Sequence, residues 1–376
     1  MILLVLMSAS FLLAALSEYV YRLKSAGWLL FAAASVVALS VVNLIRDYSI
    51  GTDVGVYGNY IFTSAVLSSS LDSFLRVCDG LGNVEYGYGL LNYLVAFFTD
   101  SPHVFYFVLG LLTNGVVYCS LCRLRSVSGV ALGWLVYVLM FFPTTLNAMR
   151  QSVAVAVVLL AVAYAMDSRL RASAIALVVA YFFHRSAVFG ILMVAAAYLW
   201  TRRSENASDE LMRLRRKRLL VFMVLAAMLL PSAIELMNAA GLLGAKYVNY
   251  LDGGADKDLL NPILVRLPFV LLAVILLRRD FSETQAKSNL VLVFMIMEMF
   301  LLPLQLVSDA AFRISLYLGI FKVVAYPAAV NRLSGSLHAV GRLALVAYLI
   351  FVFWWQIVLN GSSEVWPFLV AAEFRV

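Results

Sequence analysis

Charge is scarce in this chain. Of its 376 residues only 13% are Asp, Glu, Lys or Arg, against about 25% in a soluble domain. A water-soluble fold of this length needs a polar skin that so few charges cannot supply. Soluble enzymes, disordered chains and nucleic-acid binders are therefore excluded. Cysteine and histidine are scarcer still, at three each. Cys119 and Cys122 have a C-x-x-C spacing, but they lie in an apolar helical run beside Arg123. They read as two small apolar residues on one helix face rather than a redox or metal site. Cys78 stands alone. With no Cys/His cluster, no zinc site is expected. Internal repeats and low-complexity linkers are missing as well.

What the chain has in quantity is apolar sequence: 64% hydrophobic residues and a mean hydropathy of +0.94. A membrane-spanning helix takes roughly 20 apolar residues. Lipid tolerates only helices or closed barrels, and continuous apolar runs point to helices. The runs fall at 2–20, 27–45, 88–99, 103–122, 129–146, 148–166, 171–184, 185–200, 218–238, 262–278, 288–307, 311–331 and 339–359. The fold class is an all-α polytopic membrane protein, a single transmembrane domain over 1–376.

The formal net charge of +7 reports basic loops in such a protein. Arg22/Lys24, Arg123/Arg125, Arg169/Arg171, Arg202/Arg203 with Arg213 to Arg218, Arg278/Arg279/Lys287 and Arg332/Arg342 sit between runs. The positive-inside rule puts all of them in the cytoplasm. That holds for every turn if the run 88–99 does not cross, and at roughly 18 Å of helix it is too short to. It is expected to be re-entrant or interfacial. About 12 spanning helices follow, with both termini outside. The N-terminus has no basic stretch before its first apolar run, which favours a retained helix over a cleaved signal. Segment 201–218 is a basic cytoplasmic loop. Segments 46–102 and 239–261 are extracytoplasmic and hold most of the acids.

Positive charge should be rare on that outer face, yet Arg150, Arg185, Arg266 and Arg313 all fall there. Each lies in the first turns of a helix running inward, where the helix dipole disfavours a cation. Repetition of this violation suggests an anion held jointly by arginines and helix N-termini. The competing reading is headgroup snorkelling or a local acid partner for each, such as Asp309 for Arg313. His184 sits beside Arg185 and is either a packing residue or a base or donor for that site. Asp53, Tyr57 and Glu85 in one outer segment, and Tyr247, Tyr250 and Asp252 in the other, mix carboxylates with rings. That mixture suits sugars, although tyrosine is also a common interfacial anchor. Glu298 and Lys322 lie deep in the bilayer, each about a dozen residues from the turn near Asp309 and so at similar depth. A buried pair is the cheapest way to keep both.

Several stretches then line up with one family. They are Gly51-Thr52-Asp53 with Tyr57, Glu85-Tyr86-Gly87-Tyr88, Met149-Arg150-Gln151 opening a helix with Ala154 and Ala156, Phe183-His184-Arg185-Ser186-Ala187, and Arg313 with Tyr317 and Pro327. In this order and spacing the chain resembles EpsG-type polysaccharide polymerases, a branch of the Wzy-like membrane glycosyltransferases. Val84 before the glutamate, and a tyrosine where a proline often follows it, are the departures. The resemblance implies a GT-C-like membrane architecture in the bacterial cytoplasmic membrane. It implies transfer of a growing glycan from one undecaprenyl-diphosphate-linked oligosaccharide to another on the outer face. Arg150, Arg313, Arg185 and Arg266 would hold the diphosphate. Gln151, Tyr57, Tyr88, Tyr247, Tyr250 and Tyr317 would meet the glycan. His184, Glu85 or Asp53 would take the acceptor proton. It implies no cofactor, and no metal if arginines neutralise the diphosphate. A chain-length regulator and a flippase are the implied protein partners.

Three other readings compete. A ligase-like transferase moving a finished glycan would show similar outer-face chemistry. A transporter or flippase for a lipid-linked sugar predicts inverted repeats and a charged central cavity, and the sequence shows no repeat and only Glu298 and Lys322 deep in the membrane. A membrane O-acyltransferase would want its histidine facing a cytoplasmic acyl donor, whereas His184 is expected outside.

Overall fold

The computed structural model describes residues 1–81, 84–202, 211, 214–222, 260–276, 283–302 and 309–375. The described residues form helices and turns, with an isolated antiparallel bridge between Arg46 and Val370. Among them, seven helices are long and apolar enough to cross a membrane: Ile2–Arg22, Trp28–Ile45, Pro102–Arg123, Val130–Asn147, Met149–Met166, Arg313–Asn331 and Ser336–Leu359. Shorter apolar helices run Val54–Leu67, Leu170–Phe183, Arg185–Thr201 and Ile263–Leu276. Glu283–Leu301 is helical as well. The protein is a polytopic α-helical membrane protein. The run 218–238 lies mostly outside the described residues. The short run 88–99 corresponds to Tyr86–Ala96, 11 residues long and so roughly 16 Å.

Between residues 46 and 81 the chain forms two helices, Val54–Leu67 and Leu71–Gly80. Leu71–Gly80 starts at Ser70, whose hydroxyl accepts from the Ser73 N–H in a reciprocal capping box. It is amphipathic: Phe74 and Cys78 are buried on one face, while Asp72 and Arg76 pair at 2.7 Å in solvent. Val54–Leu67 begins with a widened π-helical turn, Val54–Gly58.

Met149–Met166 is the centre of the bundle. It packs against Pro102–Arg123, Leu170–Phe183 and Gly190–Thr201, and nearly all of its residues are buried. Ala154, Ala156, Ala161, Ala163 and Ala165 allow that close approach, as small residues do between helices in lipid. A helix so enclosed has little lipid face, and only its ends can meet water.

Charge is sorted between the two ends. At one, Asp167 takes Arg123 at 3.4 Å and Lys287 at 2.8 Å, and Arg332 bonds the Leu276 carbonyl and Asn289. At the other gather Arg46, Asp53, Glu85, Arg150 and His184. There the C-terminal tail folds back: the Asp47 N–H donates to the Leu369 carbonyl and the Ala371 N–H to the Ile45 carbonyl. Glu364 accepts from the Thr52 hydroxyl at 2.6 Å. Between the ends Glu298 and Lys322 form a fully buried ion pair, as their similar depth predicts.

Candidate functional site

The site is built around the start of Met149–Met166. Gly51 turns the preceding segment with φ +85°, and a side chain there would run into the backbone of Leu146. The turn brings the Asp53 carboxylate over the helix start, where Oδ2 accepts from the Met149 N–H at 3.1 Å. An acid at a helix N-terminus is electrostatically favoured. The Tyr57 hydroxyl donates to the same oxygen. Burial raises the Asp53 carboxyl above its ordinary value, against the hydrogen bonds from Tyr57 and Met149 and the charges of Arg150 and Arg313.

Arg150 occupies the unfavourable first-turn position, and two acids offset it. Its Nη1 lies 2.6 Å from Glu85 Oε2, with both side chains about nine-tenths buried. Its guanidinium stacks 4.2 Å from the Tyr57 ring centroid and 5.9 Å from that of Tyr88. Glu85 itself precedes Tyr86–Ala96, which leans on the end of Leu170–Phe183. A Cβ on Gly87 would come within 2.8 Å of the Phe182 carbonyl oxygen, so only glycine permits this contact.

That contact leads to His184. The chain leaves its helix in an extended conformation at His184 and re-enters a 3-10 turn, Arg185–Phe189. His184 Nδ1 accepts from the Ser186 N–H at 3.3 Å. A backbone N–H can only donate, so a neutral ring carries its proton on Nε2. The Ser186 hydroxyl lies 2.6 Å from Nδ1 and 3.0 Å from the Tyr317 hydroxyl. Tyr317 belongs to Asp309–Gly319, the helix that also carries Arg313. Gln151 joins it by donating from Nε2 to the Arg313 carbonyl at 2.7 Å.

The structure thus draws together Asp53, Tyr57, Glu85, Tyr88, Arg150, Gln151, His184, Arg313 and Tyr317 from five separated stretches. Arg185 is beside them and exposed. Tyr247 and Tyr250 lie outside the described residues. Arg266 is not drawn in with Arg150: its Nε contacts Glu298 at 3.1 Å, on the buried pair with Lys322. From Arg313 to Lys322 the chain descends roughly 13 Å at 1.5 Å per residue. At that depth the Glu298 carboxylate faces this arginine. Conversely, Arg46 went unnoticed in the sequence. It is buried, donates to the Leu146 carbonyl at 2.5 Å, and lies 4.4 Å from the Tyr106 ring centroid. Burial pulls its pKa down to about 10. Its cue was a charge set directly against an apolar run, which reads as an interfacial anchor. The cluster thus sets Arg46, Arg150, Arg185 and Arg313 beside Asp53 and Glu85, with Asp47 and Glu364 at the same end.

Beside the cluster an apolar groove of about 430 Å³ runs along Leu192, Leu199, Phe294, Ile314 and Tyr317 and reaches Arg218. Among the described residues no group of three His, Cys, Asp or Glu side chains is arranged to hold a metal ion.

The chain is thus a multi-helix membrane protein with a mixed arginine–carboxylate–tyrosine cluster at one end of its bundle, flanked by an apolar groove. The family's sequence profile matches residues 29–370. The chain belongs to the EpsG family, Wzy-like polysaccharide polymerases. Neither curated proteins nor solved structures yield a match.

Proposed function

We propose that the protein polymerises undecaprenyl-diphosphate-linked oligosaccharide repeat units on the outer face of the bacterial cytoplasmic membrane. The reading includes about 12 spanning helices in a GT-C-like arrangement, with the Arg150 end facing outward. The observation that carries it is the convergence of Asp53, Glu85 and the Arg313 backbone on the single helix start Met149-Arg150-Gln151, in a chain of this family.

In this scheme the donor's diphosphate lies against Arg150 and Arg313, with Arg185 at its exposed edge. One guanidinium has five N–H donors, so Arg150 can hold Glu85 and still present donors to phosphate oxygens. The acceptor hydroxyl gives its proton to a carboxylate as its oxygen attacks the anomeric carbon. The bond from that carbon to the diphosphate oxygen breaks, and the electron pair leaves with undecaprenyl diphosphate. Negative charge grows on the leaving group, where preorganised cations contribute most. Inversion at the anomeric carbon follows from a single displacement, and the arginines supply the charge that a metal would otherwise provide.

Asp53 is the base this geometry favours, because a carboxyl raised by burial is better matched to work near neutral pH. His184 has its lone pair turned to Ser186. It therefore acts as a donor through Nε2 and fixes Tyr317 through Ser186. The rings of Tyr57 and Tyr88, and the hydroxyl of Tyr317, offer surfaces to the glycan, and the apolar groove suits the lipid tail.

Purified protein given lipid-diphosphate repeat units should form a ladder of longer glycans. The ladder should vanish in Arg150→Ala and in Arg313→Ala. An unchanged ladder in both variants would refute the assignment.

A further inference from the structure

At the end of the bundle opposite Arg150, a cavity of about 620 Å³ opens between Ile2–Arg22, Val130–Asn147 and Ser336–Leu359. Its lining has two characters. Phe11, Leu132, Leu135 and Val346 form an apolar trough. Arg22, Arg125 and Arg342 stand on the polar side with Glu18. Three guanidinium groups thus face one carboxylate, and that carboxylate is committed on both oxygens. Glu18 Oε1 accepts from Arg22 at 2.6 Å, and Oε2 from the Ala131 N–H at 2.7 Å. Arg125 is held in place by rings: its guanidinium lies 3.4 Å from the Tyr21 centroid and 5.1 Å from that of Trp28. Cation–π contacts of this kind fix the plane of the group without neutralising it.

An apolar trough that ends in preset arginines fits an amphiphile with an anionic head. Inorganic phosphate would use the arginines and leave the trough empty. A zwitterionic lipid would bring its own ammonium to a rim that is already cationic. The positive-inside rule gives this end to the cytoplasm, and basic pockets between transmembrane helices on that side suit acidic headgroups.

We propose that this cavity binds an anionic glycerophospholipid of the cytoplasmic leaflet. Its phosphate rests on Arg22, Arg125 and Arg342, and an acyl chain lies along Phe11, Leu132, Leu135 and Val346. Arg22 is on the first helix and Arg342 on the last, so the lipid ties the two ends of the chain together. The site is separate from the glycan-transfer cluster and does not depend on that reading.

The test is native mass spectrometry of the full chain released from nanodiscs of mixed phosphatidylglycerol and phosphatidylcholine. Wild type should retain phosphatidylglycerol stoichiometrically. Arg22→Gln with Arg342→Gln should weaken that retention roughly 30-fold, given two headgroup-level arginines. Arg171→Gln with Arg202→Gln removes equal charge from the same end but outside the cavity, and should retain the lipid. Phosphatidylglycerol should also raise the melting temperature of wild type and of the outside pair, but not of the cavity pair. If the cavity pair does not fold, Arg342→Gln alone carries the test, since that side chain is exposed. Equal loss in both pairs, equal retention of phosphatidylcholine, or displacement by millimolar inorganic phosphate would each overturn the proposal.

Discussion

Glu85 and Arg150 meet at 2.6 Å across the start of the central helix, with 12% and 11% of their side chains exposed. The pair joins the segment ahead of Tyr86–Ala96 to the bundle core and offsets a cation that the helix dipole disfavours. Removing Glu85 leaves Arg150 offset by Asp53 alone among its two acids. Glu85→Gln should therefore cost about 2–3 kcal/mol, toward the low end for a buried pair. Glu85→Gln combined with Arg150→Gln should recover most of that loss. Glycan elongation should not recover with it, since removing one preorganised charge-stabilising group typically costs about 100-fold or more in rate. Melting temperature and ladder length, measured on wild type and these two variants, separate the two roles. An active double variant would make the pair purely structural.

Asp53 gives a pH signature. Burial raises its carboxyl above the ordinary aspartate value, which is about 3.9. A base works when deprotonated, so elongation should hold above the raised pKa and fall as pH drops through it. The acid limb of the rate profile should thus lie above the ordinary aspartate range. The ionised form is the one burial disfavours, so this group's contribution to stability declines as pH rises through the same window. Asp53→Asn should then melt no lower than wild type at neutral pH while losing most of its rate. An acid limb that survives unchanged in the residual activity of that variant would move the base to another group.

The buried triad of Arg266, Glu298 and Lys322 makes a contrasting prediction. Glu298→Gln leaves two cations in the bilayer interior without their carboxylate, and should destabilise by about 3–5 kcal/mol. Arg266→Met leaves Glu298 and Lys322 balanced and should fold. Its ladder, measured per folded molecule, should match wild type. A well-folded Arg266→Met that makes no ladder would return this arginine to the diphosphate.

How much of this was legible before the structure depended on what each residue had as alternatives. The apolar runs were readable because lipid leaves a 20-residue apolar stretch few options but a helix. Glu298 and Lys322 were readable as a pair because a similar count from one turn means a similar depth. Arg150 was legible as an anomaly, but not its partners: Asp53 and Glu85 lie far from it in sequence, and only the Gly51 turn and the Gly87 contact bring them to it. Val54–Leu67 and Leu71–Gly80 hid in a glycine- and serine-bearing segment where local propensity says little. The contact of Arg266 with Glu298 was not legible, because a helix start looks the same whether its arginine faces an outer anion or a carboxylate on a neighbouring helix.

The orientation of the bundle is the last point open to direct measurement. The wild-type chain has an exposed cysteine, Cys119, and a half-buried one, Cys122, while Cys78 is buried. Labelling therefore starts from a variant with all three replaced by alanine. Arg185 and Tyr86 are exposed at the end that holds Arg150, and Arg171 is exposed beside the basic turns at the other. The excess of arginine at the second end should hold it in the cytoplasm. A membrane-impermeant maleimide on intact cells should modify Arg185→Cys and Tyr86→Cys, and should reach Arg171→Cys only after permeabilisation. The reverse pattern would put the Arg150 cluster in the cytoplasm, where no outward-flipped glycan could reach it.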